Sequence, residues 1–218
     1  MLFLDSSIPA EVEEIFSWGV VSGVTTNPLI LSRELGDVDL RTCILEVLAA
    51  SRGPVSVELL SETQEEMIDE AFEYHEWNPK RICIKIPFSE QGLRVLHQLH
   101  EHGVPTNVTA TMSFNQMYLA ALAGATYVSL FSGRVRDMGY DVGPIIAETR
   151  ALLDREGLES QIIVGSIRQV MDVNEALQHG AHVVTVPPPI LRKMLFNPRT
   201  DATIREFNDA WANRGKKD

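Results

Sequence analysis

A closed parallel (β/α)8 barrel (TIM barrel, α/β class) with an additional C-terminal helix is the fold this sequence predicts. Three observations carry it. Eight short β-rich runs recur along the whole length. Amphipathic segments with helix-start signals lie between most of them, and no composition break or low-complexity linker divides the 218 residues. Strands alternating with helices make a parallel sheet under a helical cover, and single α/β barrels commonly occupy this length. The rival is an open doubly wound sheet, but no Gly-x-Gly-x-x-Gly turn follows the first strand. Residues 1–218 therefore read as a single barrel domain.

The runs are Leu2–Asp5, Gly23–Asn27, Val55–Leu59, Ile82–Ile86, Pro105–Thr109, Tyr127–Phe131, Ile162–Ser166 and His182–Val186. Alternate side chains of a strand face opposite sides of the sheet. In the first run Phe3 and Asp5 oppose Leu2 and Leu4, and the second contributes Thr25 and Asn27. In the third, Val55, Val57 and Leu59 suit a helix-covered face while Ser56 and Glu58 point into the barrel. The fourth, Ile-Cys-Ile-Lys-Ile-Pro, sends three isoleucines outward and Cys83 and Lys85 inward. Asn107 and Thr109 share a face in the fifth, and Tyr127, Ser129 and Phe131 share one in the sixth.

Between the runs, Ser61-Glu62-Thr63-Gln64 and Ser113-Phe114-Asn115-Gln116 read as capping boxes, with hydroxyls that satisfy the first N–H groups of a helix. After the eighth run, residues 200–213 read as the extra helix, with Ile204, Phe207 and Trp211 on one stripe. That stripe is placed to pack on its own barrel or on a neighbouring subunit.

The charge balance narrows the function. With 19 basic and 30 acidic residues the net charge is −11, which argues against nucleic-acid binding by displacement of phosphate counterions. An anionic small molecule would need a local cluster of cations. Cys43 and Cys83 are the two cysteines and neither belongs to a paired zinc spacing, so a disulfide framework is not expected and a reducing cytoplasm is. Asp5 interrupts the N-terminus before any signal-peptide core, and no apolar run reaches membrane-spanning length.

Six strands thus place polar side chains near their C-terminal ends, pointing inward. That end of a barrel carries active sites, and so many buried polar groups in register would be costly if they served structure alone. Lys85 admits two readings. In one it is a protonated partner of Glu58 or Asp5. In the other it is a neutral amine that attacks a carbonyl to form a Schiff base. Lowering a lysine by about three units from ~10.4 corresponds to roughly 4 kcal/mol, which desolvation can supply.

Schiff-base aldol chemistry also needs a carboxylate that moves protons on substrate hydroxyls and an acid–base group acting through water. Asp5 and Glu58 are the inward carboxylates, and Thr109 is placed to position a water. Asn27, Asn107 and Ser129 suit hydrogen bonds to a polyol chain. Arg134 after the sixth strand, with Ser166 and Arg168 after the seventh, occupy a frequent phosphate-binding position of barrels, and a guanidinium grips phosphate bidentately.

At these residues the chain resembles the small-subunit transaldolase family, which also contains the fructose-6-phosphate aldolases. The resemblance covers essentially the whole chain: Phe3–Ser7, the Gly-Val-Thr-Thr-Asn-Pro segment of Gly23–Leu31, Ile-Lys-Ile-Pro, Thr106–Gln116, Ala123–Arg134, Gly165–Arg168 and Asp201–Trp211. It implies Lys85 as the Schiff-base nucleophile, Asp5 as the acid–base residue of carbon–carbon cleavage, and Glu58 with Thr109 as managers of the catalytic water. It further implies that Thr25, Asn27, Ser56, Asn107, Ser129 and Phe131 line the substrate and that Arg134, Ser166 and Arg168 hold its phosphate.

The implied reaction moves a dihydroxyacetone unit from a ketose phosphate (fructose 6-phosphate or sedoheptulose 7-phosphate) to an aldose phosphate such as erythrose 4-phosphate. It uses no cofactor and no metal. The aldolase branch carries Gln in place of Glu58 and Tyr in place of Phe131, so both positions here take the transaldolase form. An aldolase-type lyase releasing free dihydroxyacetone, and a catalytically silent sugar-phosphate-binding barrel, are the alternatives. Related proteins form pentamers or stacked decamers, which implies a cytoplasmic homo-oligomer.

The chain departs from the family pattern at Ala110-Thr111-Met112 and at Arg136. The latter is expected to influence acceptor preference or loop contacts. His97, His100 and His102 read as a solvated helix face, Cys83 as a small core residue, Met112–Tyr118 as helix packing, and residues 214–218 as an exposed tail.

Overall fold

Period-two alternation builds the sheet, and its closure determines where the polar residues meet. The structure, a computed structural model, describes residues 1–34 and 38–215. Its strands are β1 (Leu2–Asp5), β2 (Val24–Thr25), β3 (Val55–Glu58), β4 (Ile82–Pro87), β5 (Thr106–Thr111), β6 (Tyr127–Phe131), β7 (Gln161–Gly165) and β8 (Val183–Val186). Each pairs in parallel with its sequence neighbours, and β1 closes on β8 through Phe3 opposite Thr185. The fold is the (β/α)8 barrel.

The helices are α1 (Pro9–Ser17), α2 (Pro28–Glu34), α3 (Leu40–Ala50), α4 (Gln64–Trp77), α5 (Glu90–Glu101) and α6 (Phe114–Leu122). They continue with α7 (Ser132–Asp137), α8 (Val142–Glu156), α9 (Val170–Gln178), α10 (Pro188–Leu195) and α11 (Pro198–Ala212). Among the described residues, no helix is long and apolar enough to cross a membrane.

The outward side chains make the main core. Ile82, Ile84 and Ile86 are fully buried with Val55, Val57, Val128 and Leu130 under helix residues such as Leu96, Leu99 and Met117. Burying an aliphatic side chain of this size is worth about 1.5–3 kcal/mol, so this layer dominates the barrel's stability. Inside, near the starts of the strands, Phe3, Ile163 and Val183 form a separate apolar plug with Tyr127 packed on it. Phe3 and Tyr127 meet edge to face at 5.9 Å. A Cβ at residue 23 would stand 2.7 Å from the Phe3 ring, so glycine there makes room for the plug. One end of the interior is therefore apolar and filled, and the polar groups are left at the other.

Several local expectations change. The helix after β3 is capped by Thr63, whose hydroxyl accepts from Glu66 N and donates to the Glu66 carboxylate. Thr63 begins the run one turn from Gln64 to Glu66, and Ser61 lies too far upstream to cap it. Ser113 caps α6 as expected, but Gln116 bonds the N–H of Met112 and not that of Ser113. The reciprocal capping box occurs instead at Gln169 and Asp172, at the start of α9. The second strand is shorter than its sequence run because Asn27 turns into the cap of α2. The fifth is longer, and its register with β6 shifts between Val108 and Thr111 where Ala110 adopts φ 60°.

The terminal helix forms over Pro198–Ala212 and buries none of its residues on its own barrel. Its expected stripe stays open, with Ile204 52%, Phe207 68% and Trp211 68% exposed. Arg214 and Gly215 of the C-terminal tail are exposed, and residues 216–218 lie outside the described residues. The histidines of α5 and the residue after it are exposed, as read from their spacing.

Candidate active site

The C-terminal ends of the strands surround a cavity of about 350 Å³. Ten of the thirteen residues singled out from the sequence line it. Asp5 and Thr25 come from β1 and β2, Asn27 from the turn after β2, and Glu58, Lys85 and Asn107 from β3 to β5. Ser129, Phe131, Arg134 and Ser166 complete the ring.

Strand pairing sets the centre of the site. Glu58 lies opposite Lys85 in the β3–β4 register, and Lys85 opposite Asn107 in the next. Lys85 is 5% exposed. Its Nζ stands 2.8 Å from Glu58 Oε2 and donates to the Thr26 carbonyl at 3.0 Å. A lysine ammonium has three donors, and these bonds use two of them. Of the two carboxylates offered as partners by the sequence, Glu58 takes the ion pair. The Phe131 ring stands over the nitrogen, 6.0 Å from Nζ to its centroid.

The segment Thr25-Thr26-Asn27-Pro28 shows how local rules place functional groups. Thr26 turns outward and its hydroxyl donates to Ser56 O at 2.8 Å, which fixes its own carbonyl towards Lys85. Asn27 Oδ1 accepts from Ile30 N at 3.0 Å, capping α2, which opens with Pro28. Thr25 turns inward and donates to Asp5 Oδ1 at 2.8 Å. Because that hydroxyl gives its proton to Asp5, it accepts from Thr185 Oγ1 at 2.6 Å. A directed chain runs Thr185 to Thr25 to Asp5.

Besides Pro28, Leu29 and Gly165, the cavity is lined by one polar residue that sequence reasoning did not assign, Thr185. The signal was present as the lone polar side chain of Val-Val-Thr-Val in β8, but threonine is ordinary in a strand.

Below the lysine, Ser129 donates to Asn107 Oδ1 at 2.6 Å, and Asn107 donates to Ser56 Oγ at 3.2 Å. Ser56 therefore supports Asn107 from beneath and does not itself line the cavity. Cys83, on the same face, has its thiol pushed up to about 12, chiefly by burial, with a Ser56 hydrogen bond opposing. A thiol so held is protonated near neutrality and inert as a nucleophile.

Thr109 shares the strand face of Asn107 but is buried outside the cavity lining, and its hydroxyl has no hydrogen-bond partner. An unmet buried hydroxyl costs about 1–3 kcal/mol. At the anionic end, Arg134 and Ser166 reach the cavity, with Ser166 held at φ 59°. Arg168 does not. Its guanidinium forms a two-pronged bond with Asp137 at 2.5 Å on both arms. Arg136, expected to influence acceptor preference or loop contacts, instead joins two helices, donating from α7 to Asp172 and Glu175 of α9. Among the described residues, no group of three or more His, Cys, Asp or Glu side chains is arranged to hold a metal ion.

Comparison with known proteins shows the family. The family model Transaldolase/Fructose-6-phosphate aldolase matches residues 2–217. A "Probable transaldolase" of Alkaliphilus metalliredigens (strain QYMF) is 38% identical over 210 residues, covering 96% of this chain and 97% of the relative. Another, of Desulforudis audaxviator (strain MP104C), is 40% identical over 216 residues and 99% of each chain. The solved structure of a "putative phosphonomutase" from Burkholderia cenocepacia J2315 superposes with a TM-score of 0.59 at 14% identity. It covers 95% of this chain and 92% of that one, a likeness of fold alone. The chain belongs to the transaldolase/fructose-6-phosphate aldolase family.

Proposed function

We propose that this protein is a transaldolase that carries a dihydroxyacetone unit on Lys85 from a ketose phosphate to an aldose phosphate. The observation that carries the reading is the Lys85–Glu58 pair at 2.8 Å in the cavity floor, with Asp5 across the same cavity.

The pair supplies the proton transfers an amine nucleophile needs. Passing one proton from Nζ to Glu58 leaves a neutral amine beside a carboxylic acid. The amine attacks the ketose C2 carbonyl, and the proton on Glu58 returns to the departing hydroxyl as water leaves the carbinolamine. The unpartnered Thr109 hydroxyl suits a bond to that water. Asp5, kept as an acceptor by Thr25, then takes the proton of the C4 hydroxyl while the C3–C4 bond breaks. The electrons move into the iminium and leave an enamine on Lys85, and the aldose phosphate departs. An incoming aldose phosphate reverses these steps. Phe131 presents an apolar ring with no proton to give, which favours a waiting enamine over its protonation and release.

Asn107, Ser129 and the Asn27 amide suit the sugar hydroxyls, and Arg134 with Ser166 suits the phosphate. Arg168 reaches a phosphate only by leaving Asp137. The composition, that of an ordinary globular protein, fits a cytoplasmic enzyme, and Arg134 supplies the local cation that a sugar phosphate needs against a net charge of −11.

Borohydride reduction in the presence of fructose 6-phosphate tests the chemistry. It should leave a covalent adduct on Lys85 and none on a Lys85→Met chain, and an unlabelled wild type would overturn the proposal. Formation of glyceraldehyde 3-phosphate should depend on added erythrose 4-phosphate. Comparable release without an acceptor would identify a lyase instead.

A further inference from the structure

We propose that Arg136 is a positioning residue for the anion-binding end of the cavity, clamping the segment that carries Arg134 to the segment that carries Ser166. The inference rests on the phosphate reading above and names what holds that subsite together.

Arg134 and Ser166 come from separate βα units. Arg134 lies on α7 after β6, and Ser166 lies in the connection from β7 to α9. The β6–β7 ladder ends at Phe131 opposite Gly165, just before both groups. Beyond that point side chains must fix their separation.

Arg136, two residues past Arg134, donates from Nη1 to Asp172 Oδ1 at 2.7 Å and from Nη2 to Glu175. The Asp172 side chain is only 3% exposed. Its second oxygen accepts the backbone N–H groups of Arg168 at 2.8 Å and Gln169 at 3.1 Å. One buried carboxylate is thus bonded on one side to the α7 guanidinium and on the other to the backbone two and three residues after Ser166.

Two further observations make that backbone worth holding. Ser166 sits at φ 59°, a region a non-glycine residue keeps only when its surroundings over-determine it. The connection also presses on α7, where a Cβ at residue 133 would meet Ser166 O at 2.5 Å. A second ion pair, Arg168 with Asp137, joins the same segments, but both side chains are about half exposed. Exposed pairs contribute little, whereas charge-assisted bonds to a desolvated carboxylate are strong. Arg136 is the link that matters.

Calorimetric binding of inorganic phosphate to the full chain tests the clamp without turnover. Arg136→Met should bind phosphate about tenfold more weakly, since small misplacements of positioned groups carry losses of that order or more. Arg136→Lys should recover part of the loss. In transfer assays the defect should fall on KM for a phosphorylated acceptor, not on kcat. Glu175→Gln leaves Asp172 paired, so it should fold and show a smaller loss in the same direction.

Wild-type phosphate affinity in both Arg136→Met and Glu175→Gln would overturn the proposal, as would a wild type that binds no phosphate. So would equal loss of kcat with phosphorylated and unphosphorylated acceptors. A wild type that binds phosphate but gives no borohydride adduct would sink the Schiff-base reading and leave the clamp standing.

Discussion

A guanidinium helps to bind an anion only where it can reach the anion, and the two arginines expected to hold phosphate differ in this. Arg134 lines the cavity, while Arg168 is engaged by Asp137. The hydrogen bond from Arg168 holds the Asp137 carboxyl below the usual carboxylate range. A lowered carboxylate keeps its partner above its ordinary pKa and loses it only as pH falls through the lowered value. Titration between about pH 6 and 9 therefore does not release Arg168. Arg134→Ala should raise KM for phosphorylated substrates by about 10- to 100-fold, the worth of a charge-assisted bond. Arg168→Ala should change it by less than about threefold across that pH range. Comparing KM for phosphorylated and unphosphorylated acceptors checks both, and equal effects of the two substitutions would show that Arg168 does leave Asp137. Lys85 was legible from sequence because a charge inside an apolar run has few reasons to exist. The engagement of Arg168 was not, since its partner lies 31 residues away and on another element.

Elements transmit these residue effects through their spacing. Alternation along β3, β4 and β6 correctly divided outward from inward side chains, because a strand has one period and a barrel one interior. Irregular backbone carried no such signal. The bulge at Ala110 interrupts β5 just past Thr109, and the left-handed Ser166 ends β7 one residue before its sequence run does. Such conformations are chosen by neighbours across the sheet and not by local residue type. Gly133 illustrates the coupling. A Cβ there would meet Ser166 Oγ and Arg168 Nε at 2.8 Å each, besides the Ser166 carbonyl. Gly133→Ala should therefore push the Ser166 connection away from α7, at an overpacking cost of about 1–3 kcal/mol. Thermal melting should report the loss, and phosphate binding should weaken with it. Unchanged phosphate affinity in a destabilised protein would separate the packing of α7 from the subsite.

At the scale of the whole molecule, α11 gains no support from burial on its own barrel. It is capped locally by Asn197, which accepts from Arg199 N and Thr200 N, and it carries an exposed Arg199–Glu206 pair. These are weak supports, and an isolated helix of 15 residues is marginal in water. Most helices in proteins are stabilised by burying an amphipathic face, yet none of the residues of α11 is buried. Besides its open stripe of Ile204, Phe207 and Trp211, Leu195 and Phe196 just before it in the chain are 67% and 71% exposed. Aromatic side chains bury about 150–250 Å² each, so covering Phe207 and Trp211 alone is worth several kcal/mol at about 25 cal/mol per Å². A second copy would supply that cover at no cost in new chemistry, since homo-oligomers close such faces symmetrically. We expect the protein to elute as a multiple of its 24.3 kDa chain, with Phe207→Glu/Trp211→Glu shifting it to smaller species and a lower, concentration-independent melting temperature. A wild type that elutes as a monomer with a melting temperature independent of concentration would show that α11 stays unpartnered, and the stripe would then need a different occupant.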